Sequence, residues 1–241
     1  MDRAGGPRGE RGWTILEVLL VVALAALLLA IALPNFRSAR IRNNEAAAVR
    51  TLREVAAGQE MARKAVLVDE DSDGRGEFAV LQELAGLRNP RAYVPRSGSV
   101  LPAGLPQFSF GPEGEATVCG YRFRLFLPGE GGRGVREVDG TPEGKVDPAL
   151  AAAAWCAYAW PVRSEGFLPA ATGGRTFFAN QTGLVLAADG PYSVLPRKEG
   201  EPALAPEPGA AFAPPGGLAT ITGPPALGTV GRDGLLWRSV H

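Results

Sequence analysis

The 241-residue sequence holds a single histidine, His241, at its last position, and that scarcity excludes the chemistries that need imidazole. A Ser-His-Asp triad, an HExxH zinc site and a Cys/His metal cluster each require histidines that are not there. Cysteine is scarce as well: Cys119 and Cys156 permit one disulfide at most. Net charge is absent, with Lys+Arg and Asp+Glu both at 25, so no broad basic field argues for nucleic acid and no acidic block argues for a solvating tail. Aromatic residues make up 7% of the chain, whereas Gly (32) and Pro (21) are plentiful. That balance predicts short elements joined by turns, with long helices the exception. The length accommodates one membrane-anchoring helix and one modest globular domain.

The exception stands at the N-terminus. Residues 1–12, MDRAGGPRGERG, are polar and carry Arg3, Arg8 and Arg11 against Asp2 and Glu10. From Trp13 to Leu33 the chain is apolar, interrupted by one charge, Glu17, and one hydroxyl, Thr14. As a helix this stretch is roughly 31 Å long, enough to cross a bilayer core. The basic leader is expected in the cytoplasm and the rest of the chain outside. A secretory signal peptide would be cut after the apolar run in a small-residue context, but PNFRSARIRNNEAA follows instead, so a cut before the run is the better reading. Glu17 needs explaining, because a carboxylate in a membrane helix costs a few kcal/mol and is rarely kept without a partner. The plain alternative is a single-pass anchor whose Glu reaches the interface by snorkelling.

The string Gly12-Trp13-Thr14-Ile15-Leu16-Glu17 followed by VLLVVALAALLLAIALPNF resembles the class III leader of type IV pilins and type II secretion pseudopilins. The resemblance implies that a prepilin peptidase cuts after Gly12 and that Trp13 becomes a methylated first residue, where the family usually has Phe, Met or Leu. It makes Glu17 the fifth mature residue and Pro34 the helix-kinking proline. It also implies that the freed amine of Trp13 pairs with Glu17 of a neighbouring subunit and sets the stagger of a helical bundle. The implied partners are the peptidase, other pilin or pseudopilin subunits, an inner-membrane assembly platform and, before assembly, the lipid bilayer; no nucleic acid is expected.

Beyond Pro34, where a bend rather than a stop is expected, Ile41, Ala48, Leu52 and Val55 recur at helical spacing. Arg37, Arg40, Arg42, Arg50 and Arg53 lie on other faces, with Glu45, Glu54 and Glu60 among them, so the basic run reads as a solvated helix face. The segment 34–67 is thus an amphipathic stalk. Asp69, Asp71 and Asp73 then alternate before Gly74, as in the first half of a calcium loop. Position twelve of an EF-hand would be Val80 rather than Glu, so a different calcium site, completed by Glu77 or a distant carbonyl, is the metal reading; an acidic turn ending the helix is the other. Phe78–Leu87 reads as a short helix closed by Gly86.

Residues 68–195 are expected to form the head. Tyr121, Phe123, Leu125 and Leu127 alternate with Arg122 and Arg124, giving a strand with one face buried. The stretch from Gly129 to Asp147 reads as a loop. Further strands are predicted over Trp155–Val162, Arg175–Asn180 and Leu184–Ala187, making an antiparallel meander. Trp155, Tyr158 and Trp160 could form a sugar-stacking platform but are read as core. Cys119, just before one strand, and Cys156, within another, are expected to pair if the domain folds outside the cytoplasm, with two buried thiols as the alternative. The strings GYRFRLFLPG, CAYAWPV and GRTFFANQTGLVL, after DSDGRGEF, are similar to the heads of prepilin-like proteins of planctomycete-type bacteria. Residues 196–241, rich in Pro, Ala and Gly, are expected as an extended, weakly ordered arm, with Leu235, Leu236 and Trp237 re-docking its end.

The expected fold is therefore α+β: a long N-terminal helix, half membrane-spanning and half amphipathic, packed on a small antiparallel head of pilin type. The expected role is that of a structural subunit without an active site, anchored in the inner membrane and then moved into a pilus or pseudopilus. The competing role is a signal-anchored extracytoplasmic binding module or enzyme, in which carboxylates such as Asp69 and Glu77 could act without histidine.

Overall fold

The computed structural model describes residues 13–92, 108–111, 114–165, 171–190, 192–193 and 204–240. The chain divides into two compact units, Met1–Ala39 and Arg40–His241. Helix α1 (Ile15–Lys64) runs through the dividing point and is 50 residues long. Pro34 lies inside it, so the helix is not stopped there. Asn35 Nδ2 donates to the carbonyl of Ile31 at 3.2 Å, binding a backbone acceptor in the turn disturbed by the proline. In the first unit the apolar part of α1 is long enough to cross a membrane and none of it is buried.

The second unit is built on an antiparallel sheet. Its strands are β1 (Ser109–Phe110), β2 (Ala116–Val118), β3 (Tyr121–Pro128), β4 (Gly134–Val138), β5 (Thr141–Pro142), β6 (Cys156–Pro161), β7 (Arg175–Asn180), β8 (Val185–Asp189), β9 (Thr229–Val230) and β10 (Leu236–Ser239). The order is β1-β2-β3-β6-β7-β8-β10-β9, with β4 on β3 and β5 on β4. The centre, β3-β6-β7-β8, is the meander expected from alternation, with Phe126 opposite Cys156, Tyr158 opposite Phe178 and Phe178 opposite Leu186. The segment read as one loop from Gly129 to Asp147 instead contains the hairpin β4–β5. Its two-residue turn, Asp139-Gly140, has φ of 50° and 76°, the double positive φ that an Asp-Gly type I′ turn supplies.

Both faces of the sheet are buried, not one. Tyr121, Phe123, Leu125, Leu127, Ala157, Ala159, Phe177 and Ala179 pack with Ala48, Leu52, Val55 and Ala62 of α1 and with Leu67, Val68 and the short helix α2 (Leu81–Leu84). The amphipathic stripe thus lies in the core, while Arg40, Arg42, Arg50 and Arg53 stay in solvent. Two polar clamps fix this helical segment. Gln59, fully buried, donates to Ala79 O (2.8 Å) and accepts from Ala79 N (2.9 Å). Glu45 accepts from Gly174 N and from the Arg175 guanidinium at 2.7 Å. Trp155, Tyr158 and Trp160 are core residues, as expected.

The opposite face carries Phe126, Cys156, Tyr158, Trp160, Phe178 and Leu186. It is covered by residues of the C-terminal segment: Ala210, Ala211, Phe212, Ile221, Ala226 and Trp237, all buried. Over 204–240 the expected extended arm is therefore corrected to a packed layer that ends in β9 and β10. Its small residues let backbone approach backbone: a Cβ on Gly209 would meet Thr220 O at 2.5 Å. Side chains satisfy much of its irregular backbone. Tyr158 Oη donates to Pro208 O at 2.8 Å and accepts from Ala211 N at 3.0 Å. Arg232 donates to the carbonyls of Ala213, Thr220 and Thr222.

Candidate functional site

Two places carry the residues singled out by sequence, one in each unit. In the first, Gly12 lies outside the described residues, and Trp13 is exposed immediately before α1. Thr14 Oγ1 accepts from Glu17 N at 3.2 Å, while Glu17 Oε2 accepts from both Thr14 N and Thr14 Oγ1 at 2.9 Å. This is a reciprocal capping box: the first and fourth positions of Thr-x-x-Glu satisfy each other's orphan donors at a helix start. Within one chain, then, Glu17 has a local partner that the sequence reading passed over, although the spacing is legible. Between Thr14 and Phe36, Glu17 is the sole charged side chain. Leu16, Leu20 and Leu28 are among many exposed apolar side chains along that stretch.

In the second unit α1 ends at Lys64 and the chain turns through the acidic segment. Carboxylate oxygens of Asp69, Asp71 and Asp73 all lie within 4.8 Å of one another. The turn is held by its own carboxylates: Asp71 Oδ1 accepts from Asp73 N at 3.1 Å, Asp69 Oδ1 from Gly74 N at 3.4 Å and Asp73 Oδ1 from Arg75 N at 2.7 Å. Gly74 has φ of 82°, a conformation suited to glycine. Gly76 passes against the helix end, where an added Cβ would lie 1.9 Å from Arg63 O. Glu77 closes the segment from inside the fold: its N–H reaches Val68 O at 3.0 Å and its Oε1 accepts from Glu70 N at 2.6 Å. The residue is buried and Oε2 has no hydrogen-bond partner. Burial pushes its carboxyl above the usual range, the Glu70 N–H partly opposing this. The structure thus clusters Asp69, Asp71 and Asp73, whereas Glu77 meets the same turn through Glu70 N, and Val80 is a core residue.

The expected disulfide is corrected. Cys119 and Cys156 are both free, the first exposed and the second buried. Cys119 occupies the β2–β3 turn with Gly120, both at positive φ, whereas Cys156 pairs with Phe126 at the other end of β3. Five steps along β3, from Tyr121 to Phe126, separate the turn from that register, about 17 Å at the strand rise and far beyond disulfide reach. Adjacent strands were foreseen correctly; position along them was not.

Sequence reasoning also missed a buried acidic group around α2. Glu83 accepts from Val80 N (2.9 Å) and Arg91 N (2.7 Å) and is paired with the Arg91 guanidinium at 3.1 Å. Arg91 in turn lies 3.6 Å from Glu70, so it links α2 to the acidic turn. Glu137, from β4, accepts from Gln82 N, and burial pushes its carboxyl up to about 7. Apart from the three-residue spacing of Val80 and Glu83, no local pattern signals these contacts, which join residues up to 55 positions apart. Comparison of the chain with family models, with curated proteins and with solved structures finds no match.

Proposed function

We propose that this chain is the precursor of a filament subunit of the type IV pilin and type II secretion pseudopilin kind. In this reading it is inserted once in the inner membrane, leader inside and head outside. It is cut after Gly12 by a prepilin peptidase, methylated at Trp13 and carried by an inner-membrane platform into a pilus or pseudopilus. It has no catalytic duty; the energy for assembly comes from other chains.

The observation that carries the reading is an apolar helical stretch with no protein cover and a single carboxylate near its start. Such a surface requires lipid or the apolar helices of other subunits around it. Filament assembly supplies both in turn, and it gives the Glu17 charge a partner beyond its own helix cap once the surroundings are dry. A lone anchor accounts for the apolar length, and the Thr14 cap for a carboxylate at the helix start, but neither gives the charge of Glu17 a counterion.

The decisive experiment is mass analysis of the N-terminus of the protein from its own cells. A mature chain starting at N-methylated Trp13 is expected. An intact Met1 terminus or a cut after Leu33 would overturn the proposal.

A further inference from the structure

We propose that a hollow where the start of β7 and the chain beyond β10 meet α1 binds one phosphate group, held by Arg42, Arg53 and Arg175. The proposal does not rest on the filament reading and stands or falls separately.

The hollow has a volume of about 370 Å³ and is lined by Arg42, Glu45, Ala46, Val49 and Arg53 of α1, with Arg175 and Val240 completing it. Residues 42, 46, 49 and 53 follow one another at four, three and four positions, so they share one helix face. The short side chains of Ala46 and Val49 leave space between two long guanidinium arms. Those arms start roughly 16 Å apart along α1, within reach of one group between them. Arg42 and Arg53 are exposed, and neither belongs to an ion pair among the described residues. Arg53 has only a long bond to Val240 O, at 3.4 Å.

Arg175 differs because it is already placed. The buried carboxylate of Glu45 accepts from its Nε at 2.9 Å and from its Nη2 at 2.7 Å, and the guanidinium lies 5.4 Å from the ring centre of Phe177. Glu45 also accepts from Gly174 N at 3.1 Å. It is therefore the support of Arg175 and not the counterion of Arg42 or Arg53. The Arg175 side chain remains 43% exposed, with Nη1 left for a ligand.

Charge selects the ligand. Three guanidiniums against one carboxylate leave an excess of two positive charges in a small volume, and a bound anion relieves their repulsion. A phosphate monoester carries about −1.5 to −2 at pH 7 and offers three strong acceptor oxygens, which matches that excess. A carboxylate would offset one charge and offer two oxygens. Arginine at all three positions suits the bidentate recognition of phosphate, which lysine does not provide. The adjoining hollow shares Arg175 and Val240 and adds Asp189 and Arg238, whose charges cancel.

The test is equilibrium dialysis of the full chain in detergent micelles against radiolabelled inorganic phosphate, with ionic strength held constant by chloride. One phosphate is expected to bind with Kd at or below about 1 mM. Arg42→Gln and Arg53→Gln, both at exposed positions, should each weaken binding by about tenfold or more, and Arg175→Lys should weaken it although the charge is kept. Arg50→Gln removes an exposed charge from the same helix outside the hollow and should leave the affinity unchanged. Circular dichroism checks that all four variants are folded. No bound phosphate in the natural chain would overturn the proposal, as would an equal loss in Arg50→Gln, which would mean a diffuse basic field. Native mass spectrometry from micelles containing phosphatidic acid then identifies the source of the phosphate group. One retained lipid that is lost in Arg53→Gln assigns the hollow to a lipid head group, and no retained lipid beside positive dialysis assigns it to a soluble phosphate.

Discussion

Glu17 has two possible employers, its own Thr14 and a neighbouring chain, and one substitution separates them. Glutamine keeps an acceptor oxygen for the Thr14 N–H and so preserves the cap, but it carries no charge. If Glu17 pairs with an ammonium in a dry bundle, both Glu17→Gln and Glu17→Ala insert normally into the membrane. Both should then be depleted from filaments by about tenfold or more, since breaking a buried pair costs about 3–5 kcal/mol. Normal assembly of the Gln variant would reduce Glu17 to a helix cap. Glu137 makes a second residue-scale case. Its folded-state carboxyl sits near 7 against an ordinary 4.5, with burial the main cause and Glu83 adding repulsion. Between those values the folded chain holds a proton that the unfolded chain has lost, so stability falls as pH rises through the window. The full effect is on the order of 3 kcal/mol. Glu137→Gln should remove that fall, measured as the difference between urea midpoints at about pH 5 and about pH 8; an unchanged pH dependence would refute the assignment.

At the scale of elements, the meander was readable because β3, β6, β7 and β8 are rich in aromatic and alternating residues. Their second buried face was not. In β6, CAYAWP is buried at every position, and a uniformly apolar strand signals two covered faces only once a covering layer is known. That layer comes from a segment whose composition matches a linker. Trp237 is its anchor: fully buried, donating to Asp233 Oδ1 at 3.2 Å, and 6.1 Å from the rings of both Tyr158 and Phe178. Trp237→Ala is expected to cost about 3–5 kcal/mol, read as a lower denaturant midpoint. A loss within about 0.5 kcal/mol, the range of surface substitutions, would mean that the segment is a loose arm after all.

At the scale of the whole molecule, the α+β class, the apolar helix, the amphipathic stripe, the four central strands and the acidic turn were all legible. Each rests on a pattern between near neighbours, where hydrophobic period and turn chemistry act within a few residues. The N-terminal string and the apolar stretch beside it thus carry the membrane-or-filament reading without any tertiary contact. Only tertiary structure decided the separation of Cys119 from Cys156, the role of residues 204–240 as the second layer, the Glu83–Arg91–Glu70 bridge and the burial of Glu77. These depend on register and on contacts between distant segments, which composition and spacing do not encode. The acidic turn falls on the border between the two: its aspartates were plain in the sequence, but a buried oxygen without a donor is a property of the fold alone.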